Sequence, residues 1–131
     1  MMQVVFLDAF EVIKIHDSFI EKYGGLSGFK DGLGGLEAAL NRPKNYYHYK
    51  GASIPEMAAI YAYSIAGGHA FNDGNKRTGT KISEVFLIRN GYYLIMENFM
   101  LEKLILNIAD EKTEIEIEYV MEQFSLFSIP F

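Results

Sequence analysis

Apolar residues recur at helical spacing along most of the chain, and this pattern predicts an all-α protein. The first predicted helix has a capping-box start, in which Asp8 precedes the carboxylate of Glu11 by three residues. The glycine pair at 24–25 is expected to end it. Its predicted apolar face comprises Phe10, Val12, Ile13, Ile15, Phe19 and Ile20. His16 lies beside Asp17 on this helix, and we expect it to be structural rather than catalytic.

A second, short helix is predicted from Leu36 to Leu40, because a following proline, Pro43, disfavours helical backbone in the residue before it. Residues 43–51 are aromatic and lack a helical period, so we expect an extended or hairpin-like flap there. The flap residues expected to bind a target are Tyr46, Tyr47, His48, Tyr49 and Lys50. Their aromatic rings are equally compatible with a partner-binding surface and with packing over the core.

The second half of the chain carries clearer helix signals. Ser53, Pro55 and Glu56 predict a capped helix that runs to about Ala66, and its many alanines predict a thin, central, buried element. Further helices are predicted at 75–90, at 98–109 and after a cap at Thr113 to Glu116. No repeat or linker divides the sequence. Residues 1–131 are therefore expected to form one compact all-α domain, a helical bundle with one small β-hairpin.

Composition narrows the range of functions. Half of the 131 residues are hydrophobic, which is too apolar for a disordered chain. A net charge of −5 without a cationic stripe argues against direct nucleic-acid binding. No apolar run reaches membrane-spanning length, and no signal peptide is recognised at the N-terminus. The absence of cysteine excludes disulfides and thiolate chemistry and fits the reducing cytoplasm, where we expect the protein.

One loop, residues 69–79, concentrates the residue types that bind and move a nucleotide phosphate. His69 can take a proton near neutral pH, and Asp73 can hold Mg²⁺. The following turn opens a predicted helix, whose first N–H groups and positive dipole favour an anion. Lys76 and Arg77 add full positive charges, and the Arg77 guanidinium can hold two phosphate oxygens at once. The expected phosphate-binding residues are Gly74, Asn75, Lys76 and Arg77, and Phe71 is expected to anchor the loop in the core.

The same loop is compatible with an ordinary helix connection and partly resembles a P-loop. An ordinary helix connection would use Asp73 to Asn75 as a turn, with one of them capping the next helix. That interpretation suits a lone histidine or Asp-Gly pair better than the whole constellation. A P-loop is rejected, because Thr80 precedes Lys81 in the wrong order and the preceding segment is a predicted helix rather than a strand.

The loop resembles the signature of the Fic/Doc superfamily, and is most similar to the death-on-curing (Doc) pattern H-x-F-x-[DE]-[AG]-N-K-R. The fixed positions are met by His69, Phe71, Asp73, Gly74, Asn75, Lys76 and Arg77. Weaker similarities lie at 15–17, 31–43 and 86–92. The resemblance implies a compact all-α fold with a β-hairpin flap ahead of the central helices.

The resemblance also implies a chemistry. In the adenylylating Fic branch, a glycine stands where this chain has Lys76, and a second arginine stands where it has Thr80. Doc-type sequences with lysine are associated with inverted ATP binding and transfer of the γ-phosphate. This implies a toxin that phosphorylates a Thr or Ser of a protein, with elongation factor Tu as the family's target, and so blocks translation. Gly74 is Fic-like, however, and AMP transfer stays an alternative, as does a catalytically silent binding module.

Carried onto this chain, the resemblance implies that His69 accepts the proton of the target hydroxyl and that Asp73 holds Mg²⁺ on ATP. Lys76 and Arg77 would stabilise charge on the transferring phosphoryl group, assisted by Asn75 and the turn backbone. The flap would align the target segment by strand pairing.

Many Fic enzymes carry an inhibitory helix with the motif [ST]-x-x-x-E-[GN]. The single candidate here, Glu97, has Tyr93 four residues earlier instead of Ser or Thr. We therefore expect a separate antitoxin, an amphipathic helix that docks in a groove, to inhibit the protein.

Overall fold

The computed structural model describes residues 3–131 and confirms the predicted all-α architecture. The described chain contains six helices and two short strands. In chain order these are α1 (Ala9–Tyr23), α2 (Gly34–Lys50), α3 (Ile54–Gly68), α4 (Asn75–Arg89), β1 (Tyr92–Leu94), α5 (Asn98–Ala109), α6 (Ile117–Leu126) and β2 (Ser128–Pro130). Among the described helices, none combines the length and apolar character needed to cross a bilayer.

Helix α3 is the central element, as its composition predicted, and it contacts α2, α4, α5 and α6. Its start is a complete capping box, because the Ser53 hydroxyl accepts from the Glu56 N–H at 3.2 Å and the Glu56 carboxylate accepts from the Ser53 N–H at 2.9 Å. The small side chains of α3 let α4 approach it closely. A Cβ at Gly79 would lie 3.1 Å from the backbone nitrogen of Ala66, so only glycine fits this contact without displacing a helix.

Helix α1 begins as predicted, since Asp8 accepts from the Glu11 N–H at 2.9 Å. The reciprocal half of the capping box is replaced by an ion pair between Glu11 and Arg89 of α4. The predicted apolar face is partly wrong, because Phe10 is 67% exposed and His16, which was not assigned to that face, is fully buried. The other predicted residues, Val12, Ile13, Ile15, Phe19 and Ile20, are buried or half-buried.

The predicted flap at residues 43–51 is wrong. Helix α2 passes through Pro43 and continues to Lys50, where Gly51 adopts a left-handed conformation and ends it. A proline inside a helix removes one backbone hydrogen bond. Here its ring is buried on the face that packs against α3, and that packing outweighs the local signal. The buried positions of this face follow helical spacing and are Leu36, Ala39, Leu40 and Pro43.

The small strand pair lies elsewhere. Strands β1 and β2 pair antiparallel, with Tyr93 opposite Ile129, and they are separated in sequence by α5 and α6, so they do not form a hairpin. The start of α6 also differs from the prediction. Its N-cap is Glu116, which makes no side-chain capping bond, while the Thr113 hydroxyl donates to Asp110 at 3.1 Å in the preceding turn.

Candidate active site

The loop between α3 and α4 carries the predicted site. His69 is the residue at which α3 ends, and it has the left-handed conformation, with φ 52°. Its side chain is 40% exposed, and Nε2 lies 3.8 Å from the carboxylate of Glu111 in the connection between α5 and α6. That nitrogen is shielded from solvent and forms no hydrogen bond with a described residue. The imidazole is therefore partly exposed, and no hydrogen bond to the described residues competes with its use in proton transfer.

Phe71 anchors the loop in the core, as the sequence predicted. It is 2% exposed, and its ring stacks on His16 with centroids 3.7 Å apart and on Phe29 with centroids 5.4 Å apart. The backbone of the loop also bonds to the segment between α1 and α2, because the Lys30 N–H donates to the Ala70 carbonyl at 3.1 Å. The loop is thus held both by α1 and by the segment that follows it.

His16 is the site residue whose role the sequence did not reveal. It is fully buried, and its Nε2 lies 2.7 Å from the backbone carbonyl of Asp73, to which it donates. Its Nδ1 lies 3.1 Å from the Asp17 carboxylate. A Cβ at Gly74, whose φ is +82°, would come within 3.3 Å of the same ring. The structural role predicted for His16 therefore includes fixing the turn that leads into α4.

The Asn75 side chain is engaged with the loop itself. Its Oδ1 accepts from the Phe71 N–H at 3.1 Å, and its Nδ2 donates to the Phe71 carbonyl at 3.0 Å. The residue that precedes α4, Gly74, provides no side-chain cap. The N–H groups of the first turn of α4 are therefore available to an anion, and Asn75 contributes to that site through its backbone.

A groove of about 530 Å³ begins at this turn and runs between α1, α4 and α5. Lys76 and Arg77 lie at its cationic end, where the Arg77 guanidinium carbon is 4.0 Å from the centre of the Tyr23 ring. His69 is not among the residues that line this groove. The structure thus brings Gly74, Asn75, Lys76 and Arg77 together, with His69 six residues away at the other end of the loop.

Further along α4, the same groove contains acidic side chains. Burial raises the pKa of the Glu84 carboxyl above its ordinary value, and the nearby Lys81 ammonium offsets part of that rise. Glu102 of α5 lies in the same wall. The groove therefore has a cationic end at the start of α4 and a partly acidic, partly apolar end beside α5.

Asp73 has the chemistry of a ligand for a metal that arrives with a nucleotide. Its Oδ2 accepts from the Leu26 N–H at 2.6 Å, while Oδ1 has no hydrogen bond to the described residues. Within residues 3–131, no three His, Asp or Glu side chains converge on one point. Mg²⁺ is commonly held by one or two carboxylates, substrate phosphates and water, and Asp73 fits that arrangement.

The residues expected to form the flap lie in the last turns of α2. Their backbone groups are engaged in the helix, so they cannot pair with a target strand as predicted. Tyr49 is 85% exposed, whereas Tyr47 contacts Phe6 edge to face at 6.1 Å and Lys50 lies 4.8 Å from the Tyr46 ring centre. His48 is exposed on the same turn. The residues predicted to form a flap therefore form the surface of the C-terminal end of helix α2.

Comparison with known proteins identifies the family. The model of the Fic/DOC family matches residues 6–87, which include α1 to most of α4 and the whole of the loop. The chain therefore belongs to the Fic/DOC family. It is 42% identical over 82 residues to "Protein kinase doc" of Escherichia phage P1, a match that covers 62% of this chain and 64% of that protein.

Proposed function

We propose that this protein is the toxin of a toxin–antitoxin module and transfers the γ-phosphate of ATP to a Thr or Ser hydroxyl of a protein. The observation that carries the proposal is the uncapped start of α4, where Lys76 and Arg77 stand, joined to His69 by one anchored loop. The similarity to a phage protein kinase supports phosphoryl transfer over other uses of such a turn.

The groove suits a nucleotide in size and charge. Its volume of about 530 Å³ is within the usual range for small-molecule sites. The phosphates would lie on the first turn of α4, where backbone N–H groups, Lys76 and Arg77 favour negative charge. Arg77 is held by Tyr23, so its planar fork is oriented before the nucleotide binds.

The chemical step requires one proton transfer and one phosphoryl transfer. The His69 imidazole accepts the proton of the target hydroxyl, whose oxygen forms a bond to the γ-phosphorus while the bond from that phosphorus to the bridging oxygen breaks and ADP leaves. Glu111 lies 3.8 Å from the Nε2 atom of that ring and stabilises the protonated imidazole. Lys76 and Arg77 stabilise the negative charge on the transferring phosphoryl group as ADP departs.

Asp73 would hold Mg²⁺ through the carboxylate oxygen that does not accept from Leu26. Bound with ATP, the ion supplies positive charge at the phosphate oxygens. Because His16 and Leu26 hold the two ends of the Asp73 residue, its carboxylate is fixed relative to the first turn of α4.

Elongation factor Tu is the protein target that we propose, and a target in the translation machinery would place the toxin in the cytoplasm. The test incubates the purified protein with elongation factor Tu, Mg²⁺ and ATP labelled at either the α- or the γ-phosphate. Transfer of the γ-label supports the kinase. Transfer of the α-label would instead establish AMP transfer, and the absence of Mg²⁺-dependent ATP binding would favour a silent binding module.

We also propose an antitoxin that docks as an amphipathic helix in the groove between α1, α4 and α5. Apolar side chains line part of this groove, and Leu106 at its edge is 49% exposed. An acidic residue of the partner would face Lys76 and Arg77 and would compete with the phosphates for that end. Copurification of a small protein encoded beside the toxin gene tests this, and purification of the active toxin alone from its native operon would contradict it.

A further inference from the structure

A cavity of about 310 Å³ lies between α2 and α3, separate from the groove that contains Lys76 and Arg77. Most of its wall is made by residues with little or no side chain, namely Gly35, Ala38, Ala39, Gly67 and Gly68. Arg42, Tyr63, Ser64 and Ile108 complete it, and the Tyr63 hydroxyl already donates to the Ile115 carbonyl. The cavity is therefore roomy, and its polar groups are few and localised, which is typical of a specificity site.

Ser64 shows that the cavity is suited to a polar ligand. The residue is 6% exposed, and its hydroxyl oxygen is buried without a hydrogen-bond partner in the described chain. A buried hydroxyl that lacks a partner is unfavourable, and most such groups in proteins are satisfied. A ligand oxygen in the cavity would accept from this hydroxyl and remove the deficit.

Arg42 gives the cavity a positive charge. Its guanidinium carbon lies 5.3 Å from the centre of the Tyr63 ring, and across residues 3–131 no carboxylate is within salt-bridge distance of it. Stacking on the Tyr63 ring orients the Arg42 guanidinium and leaves its N–H donors available to a ligand. The start of α2 adds to the charge, because Leu33 provides no side-chain cap and Gly35 of the first turn lines the cavity.

The cavity adjoins the proposed catalytic residue. Gly68 directly precedes His69, and a Cβ at Gly35 would lie 3.9 Å from the Cα of Ala70. Neighbouring residues of an extended peptide are about 3.3–3.6 Å apart along the chain. A target whose hydroxyl lies at His69 would therefore place the side chain of a nearby residue at the mouth of the cavity.

We propose that this cavity binds the carboxylate of an Asp or Glu that lies within two residues of the phosphoacceptor in the target polypeptide. Arg42 donates to the carboxylate through its guanidinium, and Ser64 donates through its hydroxyl. The placement of the acceptor hydroxyl at His69 rests on the proposed function, whereas the preference of the cavity for a carboxylate does not.

Binding can be measured apart from catalysis with the His69→Ala variant. The probes are short peptides with one Thr, in which a single Asp is moved from two residues before it to two residues after it, each matched with an Asn peptide. Binding is followed by the amide resonances of Gly67 and Gly68. We expect at least one Asp peptide to bind about tenfold more tightly than its Asn counterpart. Equal binding in every pair would overturn the proposal.

Two variants test the named contacts. Arg42→Gln in the same background removes the preference for Asp, while the control Lys44→Gln, which removes a charge from α2 outside the cavity, retains it. A preference that survives Arg42→Gln would overturn the proposal. Ser64→Ala raises the thermal midpoint of the free protein and weakens binding of the Asp peptide several-fold. A lowered midpoint with unchanged binding would contradict the role of Ser64.

Phosphate transfer by the unmodified protein separates this proposal from the proposed function. If Asp and Asn peptides receive phosphate with equal kcat/KM and bind equally, the cavity proposal fails while the kinase stands. If no peptide or protein receives phosphate but the preference for Asp in binding persists, the kinase fails while the carboxylate site stands.

Discussion

The ring of His16 and the backbone carbonyl of Asp73 lie 2.7 Å apart, although 57 residues separate them in sequence. This hydrogen bond joins α1 to the turn that opens α4. The same ring stacks on Phe71 and limits the space at Gly74, so one buried side chain contacts three residues of the loop. The geometry of the turn that opens α4 therefore depends on a residue outside the signature.

Replacement of His16 by Ala removes this link. The Asp73 carbonyl loses its donor and the Phe71 ring loses its stacking partner, so we expect the free energy of unfolding to fall by about 3 kcal/mol. Chemical denaturation measures the loss. The matched control is Asp17→Asn, because that side chain is 63% exposed, and its effect should stay below about 1 kcal/mol. Equal losses in the two variants would contradict the assignment to the Asp73 contact.

Replacement of His69 by Ala separates catalysis from folding. The side chain is 40% exposed and makes no hydrogen bond within the described chain, so the thermal midpoint should hardly change. Loss of a general base lowers the transfer rate by roughly 10²–10⁴-fold. Single-turnover kinetics with saturating ATP measure it. His48→Ala, which removes an exposed imidazole from α2, is the control and should retain full activity; a normal rate in His69→Ala would refute the role of that residue.

Arg77 is predicted to act through its shape as well as its charge. Arg77→Lys keeps the positive charge but loses the stacking on Tyr23 and the two-point contact with phosphate, so it should lose most of the roughly 10²–10³-fold in rate that Arg77→Ala loses. Steady-state transfer kinetics give the comparison. Lys14→Ala removes an exposed charge from α1 outside the groove and serves as the control. Full activity in Arg77→Lys would show that charge alone suffices.

Glu84, in the wall of the groove, makes the stability of the folded protein depend on pH. Because burial raises its folded-state pKa above the ordinary value of 4.5, its favourable contribution is complete below that value and is lost as pH rises through the raised pKa. Glu84→Gln should therefore raise the thermal midpoint near pH 7, and this gain should shrink towards about pH 4. Glu102→Gln, an exposed carboxyl in the same wall, is the control. If Glu84→Gln raises the thermal midpoint by the same amount at every pH, the gain does not come from removing a partly buried negative charge, and this explanation is wrong.

The sequence predicted the helices whose ends carry local signals. The starts of α1 and α3 and the end of α1 at Gly24 depend on residues three or four positions apart, and the structure has those boundaries. Helix α3 runs to Gly68, two residues beyond its predicted end. The loop could be recognised because its chemical groups lie together along the chain. Phe71 was correctly identified as its anchor.

Other features depended on contacts between distant segments. The sequence predicts a helix end before Pro43, yet the burial of this residue against α3 keeps α2 helical through it, and the predicted flap is therefore helix. The positions of β1 and β2 depend on how α5 and α6 return the chain. The bond from His16 to Asp73 has no spacing pattern that a single sequence can display. The sequence shows only that His16 and Asp17 are adjacent, and the burial of the His16 ring is known from the fold alone.

The most direct test of phosphoryl transfer is the intact mass of elongation factor Tu after incubation with this protein, ATP and Mg²⁺. The account predicts a single added phosphoryl group, located by fragmentation on a Thr or Ser and absent with the His69→Ala variant. An added AMP group, or a phosphoryl group that still appears with His69→Ala, would contradict it.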